Sequence, residues 1–131
     1  MSTSTAEPLR LMQYAPLWGA PSLDAECTRV QAWLRFCGLV AGRDYVLEDC
    51  GPASTGELPV LAAEGAGLVS GARIDAHLCE LGHDPDARLS AAQRAECAAF
   101  SALVRHPLRL SVAYSWWAEA GNYSAVIRPA Y

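Results

Sequence analysis

The chain is predicted to be an α/β domain followed by an all-helical segment. Three observations carry the prediction. Short β-type runs and an amphipathic helix alternate over the first eighty residues. A proline, Pro59, stands at the head of a strand in Leu58-Pro59-Val60-Leu61. From residue 88 onward the sequence turns alanine-rich and helical, without strand signals.

Leu9 to Tyr14 reads as the first strand, with Leu9, Leu11 and Gln13 on one face. Pro16, Gly19 and Pro21 mark a loop, after which Ser22 is expected to cap a helix with Asp24 and Glu26 near its positive end. Leu23, Cys27, Val30, Leu34 and Cys37 follow at four- and three-residue steps, a helical apolar stripe that Gly38 ends. Asp44 to Cys50 is the second strand, and Gly51 to Glu57 is turn-rich. Strands at Leu58–Ala62 and Gly67–Ser70 form a hairpin, and Ile74, Leu78 and Leu81 stripe the next helix, which Ser70 is placed to cap. Proline gives no ladder hydrogen bond, so Pro59 is expected to be a structural cis-proline in a tight turn.

After Gly82 to Asp86, Ser90-Ala91-Ala92-Gln93 is a capping box. The alanines of the following helix offer small surfaces for close packing, with Phe100, Leu103 and Val104 filling gaps. Pro107 is expected to kink this helix or to separate it from a second one, Leu108 to Ala120. The last stretch, Gly121 to Tyr131, is short, and its four-residue tail, Arg128 to Tyr131, is predicted to have no helix of its own. The domain limits are thus 9–83 for the α/β part and 88–131 for the helical part.

Composition excludes several classes. The chain is 52% hydrophobic, yet it has no run of 18 apolar residues, so no membrane span of its own is expected. Ten basic residues face fourteen acidic ones, with no basic stripe, which argues against nucleic acid as a partner. Met1 to Pro8 lacks the apolar core of a signal peptide and the repeated arginines of a transit peptide, which argues against secretion. The five cysteines contain no Cys-x-x-Cys pair. Cys27 lies a turn too late for a nucleophile at a helix N-terminus, and most of the thiols are expected in the core. His77, His83 and His106 have no Cys or acid at ligand spacing. No catalytic residue, cofactor, metal or small-molecule substrate is therefore predicted.

The order βαβ then ββα resembles a thioredoxin-like domain in its glutathione-transferase N-terminal variant, where Leu-Pro-x-Leu carries the cis proline. In that variant a Glu/Gln-Ser pair grips glutathione, and here the corresponding residues are Ser70-Gly71. Tyr14 stands where some transferases place an activating hydroxyl, but the loop after it is longer. Two further stretches resemble the metaxin family. One is Trp18-Gly19-Ala20-Pro21-Ser22-Leu23-Asp24; the other is Trp117 to Tyr131, with its Asn122-Tyr123 pair and closing Arg128 and Tyr131. With the Leu-Pro-x-Leu motif the resemblance spans roughly residues 9 to 131.

That resemblance implies a non-catalytic scaffold or adaptor subunit of a mitochondrial membrane-protein complex, peripheral to the outer or the inner membrane. The family's usual host is the outer-membrane sorting and assembly machinery. Full metaxins continue for further helices, often with a membrane anchor. The shorter length here equally suits an accessory subunit of an inner-membrane respiratory-chain or ATP-synthase complex, and a minimal glutathione-dependent transferase is the alternative of another class. Protein subunits are the expected partners. They would dock on Trp116, Trp117, Tyr123, Arg128 and Tyr131, because tryptophan is enriched at interface hot spots. Adjacent helical residues point apart. Trp117 is accordingly expected to pack inward and Trp116 to face out, unless a partner covers that side.

Overall fold

Four strands in the order β2-β1-β3-β4 form a mixed sheet in a computed structural model that describes residues 8–50, 57–63 and 67–130. Strand β1 (Leu9–Tyr14) runs parallel to β2 (Tyr45–Cys50) and antiparallel to β3 (Val60–Ala63), which in turn pairs antiparallel with β4 (Gly67–Ser70). The parallel β1–β2 pair needs a crossover, and helix α1 (Ala25–Phe36) supplies it. Helix α2 (Arg73–Glu80) follows β4. The class is α/β.

Leu11 aligns with Leu47 on one side and Leu61 on the other, and Leu61 with Val69, so these side chains share one face of the sheet. Val30 and Leu34 of α1 and Ile74 and Leu78 of α2 close over that face, and Tyr45 joins them. Each such side chain contributes roughly 1.5–3 kcal/mol on full burial. The apolar stripe read from the sequence holds for Cys27, Val30, Leu34, Ile74 and Leu78, all fully buried, whereas Leu81 at the end of α2 is 44% exposed. Arg29 ties the two helices together through a two-point contact with Asp75 at 2.9 and 3.2 Å. Burial works against its charge, but bonds to Glu26 and Asp75 outweigh that and raise its pKa. The Trp33 indole donates to the His83 carbonyl at 2.8 Å, fixing the chain after α2.

Two caps differ from expectation. Asp24, not Ser22, caps α1, its carboxylate accepting from the Cys27 amide at 3.0 Å. Ser22 is instead buried and donates to the Tyr14 carbonyl at 2.7 Å. At α2 the cap position is Ala72, with no side-chain bond, and Ser70 remains in β4. The chain turns there at Gly71, whose φ of +59° is a conformation that serine adopts only with strain. The Leu58–Pro59 bond is cis. Most of the turn-rich stretch before it, residues 51–56, lies outside the described residues.

The chain divides between Pro85 and Asp86 into two units. In the second, the Ser90–Gln93 capping box forms as expected, and helix α3 runs from Ala91 to Ala113. The helix continues through Pro107, so the proline does not separate two helices. Proline removes one ladder bond at a cost of about 3 kcal/mol, but the Ala- and Leu-rich turns on either side have high helix propensity. The Ser111 hydroxyl donates to the Pro107 carbonyl at 3.0 Å. Beyond α3 come a π turn (Tyr114–Ala118), a short α4 (Ala120–Asn122), a second π turn (Tyr123–Ile127) and a short α5 (Arg128–Ala130). The tail expected to have no helix of its own is therefore helical over Arg128–Ala130, continuing the turns that precede it.

Candidate functional sites

In the first unit, the place to look for thiol chemistry is the start of α1, where the helix dipole would favour a thiolate. Cys27 sits there, in the first turn and not a turn later as expected, because the helix starts at Ala25 behind the Asp24 cap; it has no exposed surface. Burial, with the Asp24 carboxylate adding to it, pushes its thiol up to about 11, against donors at Tyr14 and Ser22 that pull the other way. The thiol is thus protonated at neutral pH and has no access to a substrate. The Tyr14 hydroxyl is also raised, by burial first and then by the Asp24 carboxylate. Cys27 packs with Leu58 and Val60, and Met12, Tyr14 and Cys50 lie against them, so apolar contacts fill this region.

The expectation of a mostly buried set of thiols needs correction. Only Cys27 is fully buried; Cys37 and Cys50 are half-buried, and Cys79 and Cys97 are exposed. No disulfide joins them. Among the described residues no three His, Cys, Asp or Glu side chains gather at metal-binding distance. In the native protein, iodoacetamide at neutral pH should label Cys97 readily. Cys27 should react only on unfolding, and labelling of Cys27 at the rate of Cys97 would contradict the burial described. Ionising the thiol is harder in the fold than in the unfolded chain, where its value is near 9. Stability is therefore held below pH 9 and declines as pH climbs toward 11.

On the opposite sheet face from α1 and α2, Met12, Val60, Leu68, Ser70 and Glu57 line a cleft of about 280 Å³. That is below the usual range for a ligand pocket, roughly 300–1,000 Å³. Arg10 and Glu48 pair on neighbouring strands of the same face.

One feature of this unit escaped the sequence reading, a buried polar network behind the loop at 15–24. Gln13 is fully buried on the helix-covered face of β1, and Gln31 of α1 is 2% exposed. The Gln13 amide nitrogen donates to the Pro21 carbonyl at 3.2 Å and to Asp49 at 3.1 Å. Gln31 donates both to the Gln13 amide oxygen and to the Pro21 carbonyl. A carbonyl and a carboxylate can only accept, so both amide orientations are fixed. The network ties β1, β2, α1 and the loop together. At the loop's tip Trp18 has φ +52° and is 57% exposed, with the Ala20 amide donating back to Leu17 at 2.9 Å.

In the second unit the predicted docking residues gather around the two π turns. Trp117 is 56% exposed and Trp116 half-buried, the reverse of the expected order. A π turn holds five residues per hydrogen-bonded ring, which rotates the pair from its α-helical setting. Trp117 stacks at a tilt on Tyr123, ring centroids 6.1 Å apart, bringing two predicted residues together across the turns. Asn122 holds that arrangement by donating to Ser115 at 3.0 Å and to Glu119 at 2.7 Å. Arg128 is exposed in α5, and Tyr131 lies outside the described residues. Ile127, at the end of the second π turn, is buried at 2% exposure. Phe100, Leu103 and Val104, expected to fill gaps, are instead 67, 66 and 57% exposed, and no residue of α3 is buried.

The two units define an α/β domain carrying a helical extension rich in exposed apolar side chains. The sequence profile of the Tom37 family, described as "Outer mitochondrial membrane transport complex protein", matches residues 27–131, and the chain belongs to that family. Among curated proteins it is similar to Metaxin-1 of Bos taurus, with 30% identity over 127 residues, covering 96% of this chain and 40% of that protein. It is also similar to Metaxin-3 of Danio rerio (27% over 124 residues; 95% and 39%) and Metaxin-3 of Xenopus laevis (31% over 117 residues; 87% and 37%). The metaxin resemblance carried by the Trp18–Asp24 and Trp117–Tyr131 stretches is thereby confirmed. The chain spans about two-fifths of the length of these relatives. No solved structure matches it significantly.

Proposed function

We propose that this chain is a non-catalytic, metaxin-like scaffold subunit, held peripherally at a mitochondrial outer-membrane transport complex. The observation that carries the reading is the helical unit of a Tom37-family chain, which leaves Phe100, Leu103, Leu108, Leu110, Tyr114 and Trp117 all more than half exposed. Apolar surface on that scale marks an interaction site. The family description favours the outer membrane over an inner-membrane assembly. No helix among the described residues is long and apolar enough to cross a membrane.

The first unit is best read as a thioredoxin-like domain of the glutathione-transferase N-terminal type. Its sheet order and the two helices on one face support this. The buried, protonated Cys27 and the Ser70-Gly71 pair in place of a substrate grip support a lack of catalysis. Titration calorimetry with glutathione is expected to show no heat beyond dilution. Saturable binding with Kd below about 1 mM, near −4 kcal/mol, would favour the transferase alternative. For the scaffold reading, purification of the native chain should bring down outer-membrane transport subunits. Co-migration with a respiratory-chain or ATP-synthase assembly, or elution as an isolated chain, would overturn it.

A further inference from the structure

Phe100, Leu103, Val104, Pro107 and Leu108 recur at three- and four-residue steps, so they occupy one side of α3. Ala98, Ala102, Arg105 and Arg109 step along the opposite side with the same spacing. Both arginines are exposed, as is His106 beside them. The one acid of this helix, Glu96, stands four residues before Phe100 on the same side, at the N-terminal end of the stripe. Charge is divided in the same sense along the sequence: residues 86–131 carry five arginines against three acids, and residues 1–85 five against eleven. An exposed helix that is apolar on one side and basic on the other fits a lipid–water interface. The apolar side enters the boundary of the acyl chains, and the arginines reach the headgroup phosphates along their own methylene stems. A protein groove would accept the stripe, but it gives no reason for the arginines on the far side. An anionic leaflet does, since it attracts each basic residue near it.

We propose that α3 lies in the plane of an anionic membrane surface, with Phe100, Leu103, Val104 and Leu108 in the lipid and Arg105 and Arg109 at the phosphates. This deepens the membrane-peripheral reading above and rests on it. It concerns the α3 stripe alone, apart from the protein-docking aromatics at the π turns. The test is flotation of the purified 131-residue chain with phosphatidylcholine vesicles, with and without about one-third phosphatidylserine. The chain should float with the anionic vesicles at least about tenfold better than with the neutral ones, and less as salt screens the charges. Arg105→Gln and Arg109→Gln should each lower that binding roughly fivefold, the equivalent of about 1 kcal/mol per basic residue. Leu103→Glu with Leu108→Glu should abolish it while circular dichroism and thermal melting stay unchanged, because these side chains are already exposed. No flotation, or equal flotation with neutral and anionic vesicles, overturns the proposal. So does membrane association that appears only when outer-membrane proteins are present, which would make the occupant of the stripe a protein. Failure here with retained co-migration of transport subunits leaves the scaffold reading intact. Flotation without co-migration does the reverse.

Discussion

Gln13→Ala is expected to lower the stability of the α/β unit by about 2–4 kcal/mol, a large share of what a domain this size has. The substitution removes the donor to Asp49 and one of two donors to the Pro21 carbonyl, and it takes from Gln31 one of its two acceptors. Each buried polar group left unpaired costs roughly 1–3 kcal/mol. Chemical denaturation of the purified chain reads the loss. The double substitution with Gln31→Ala should cost less than the sum of the singles, because the two amides serve each other. Strict additivity would mean the network is two unrelated contacts.

Gln13→Glu sharpens the test, since it keeps the shape and changes only the donor. An ionised carboxylate there would face Asp49 and the Pro21 carbonyl with no proton to give. The variant should therefore be less stable than Gln13→Leu at pH 7. It should recover part of the difference near pH 4, where the new side chain takes up a proton and can donate again. A Gln13→Glu protein as stable at pH 7 as the parent would rule out the assigned bonds. Tyr45→Phe makes the opposite prediction. The Tyr45 hydroxyl is buried without a hydrogen-bond partner among the described residues, so deleting it should leave stability unchanged or raise it by up to about 1 kcal/mol.

What the sequence showed and what it hid follow from how local the controlling physics is. The α1 stripe, the β1–β2 and β3–β4 runs and the Ser90–Gln93 box are periodic or short-range, and they stand where periodicity puts them. Gln13 was visible on the buried face, but its partners come from α1 and from the loop at Pro21, eighteen and eight residues away, which no window reports. Pro107 does not divide the helix, because the summed propensity of 23 residues outweighs a single breaker. The exposure of Phe100 and Leu103 was hidden for another reason. Helical spacing shows which side chains share a side, but not whether anything in this chain covers that side. The same limit applied to Trp116 and Trp117, whose directions were reasoned on α-helical geometry and were reset by the π turn at Tyr114–Ala118.

Trp117→Ala is expected to weaken retention in the native complex by about thirtyfold or more, the equivalent of at least 2 kcal/mol for a tryptophan at the centre of an interface. It should leave the thermal melt of the isolated chain nearly unchanged, since the indole is 56% exposed. The two measurements separate docking from folding, and the neighbours grade the result. Trp116→Ala, at a half-buried position, should depress the melt as well as retention. Tyr123→Ala removes the ring on which Trp117 rests and should reproduce part of its effect. Asn122→Ala should do so indirectly, by releasing Ser115 and Glu119 and letting the π turns relax. Arg128→Glu should weaken retention only if the partner presents acidic groups there. If Trp117→Ala stays bound and merely melts earlier, the indole is a packing residue of the helical unit. The protein interface would then lie elsewhere, at Glu48-Asp49 in β2 or at the acidic turn Asp84-Pro85-Asp86.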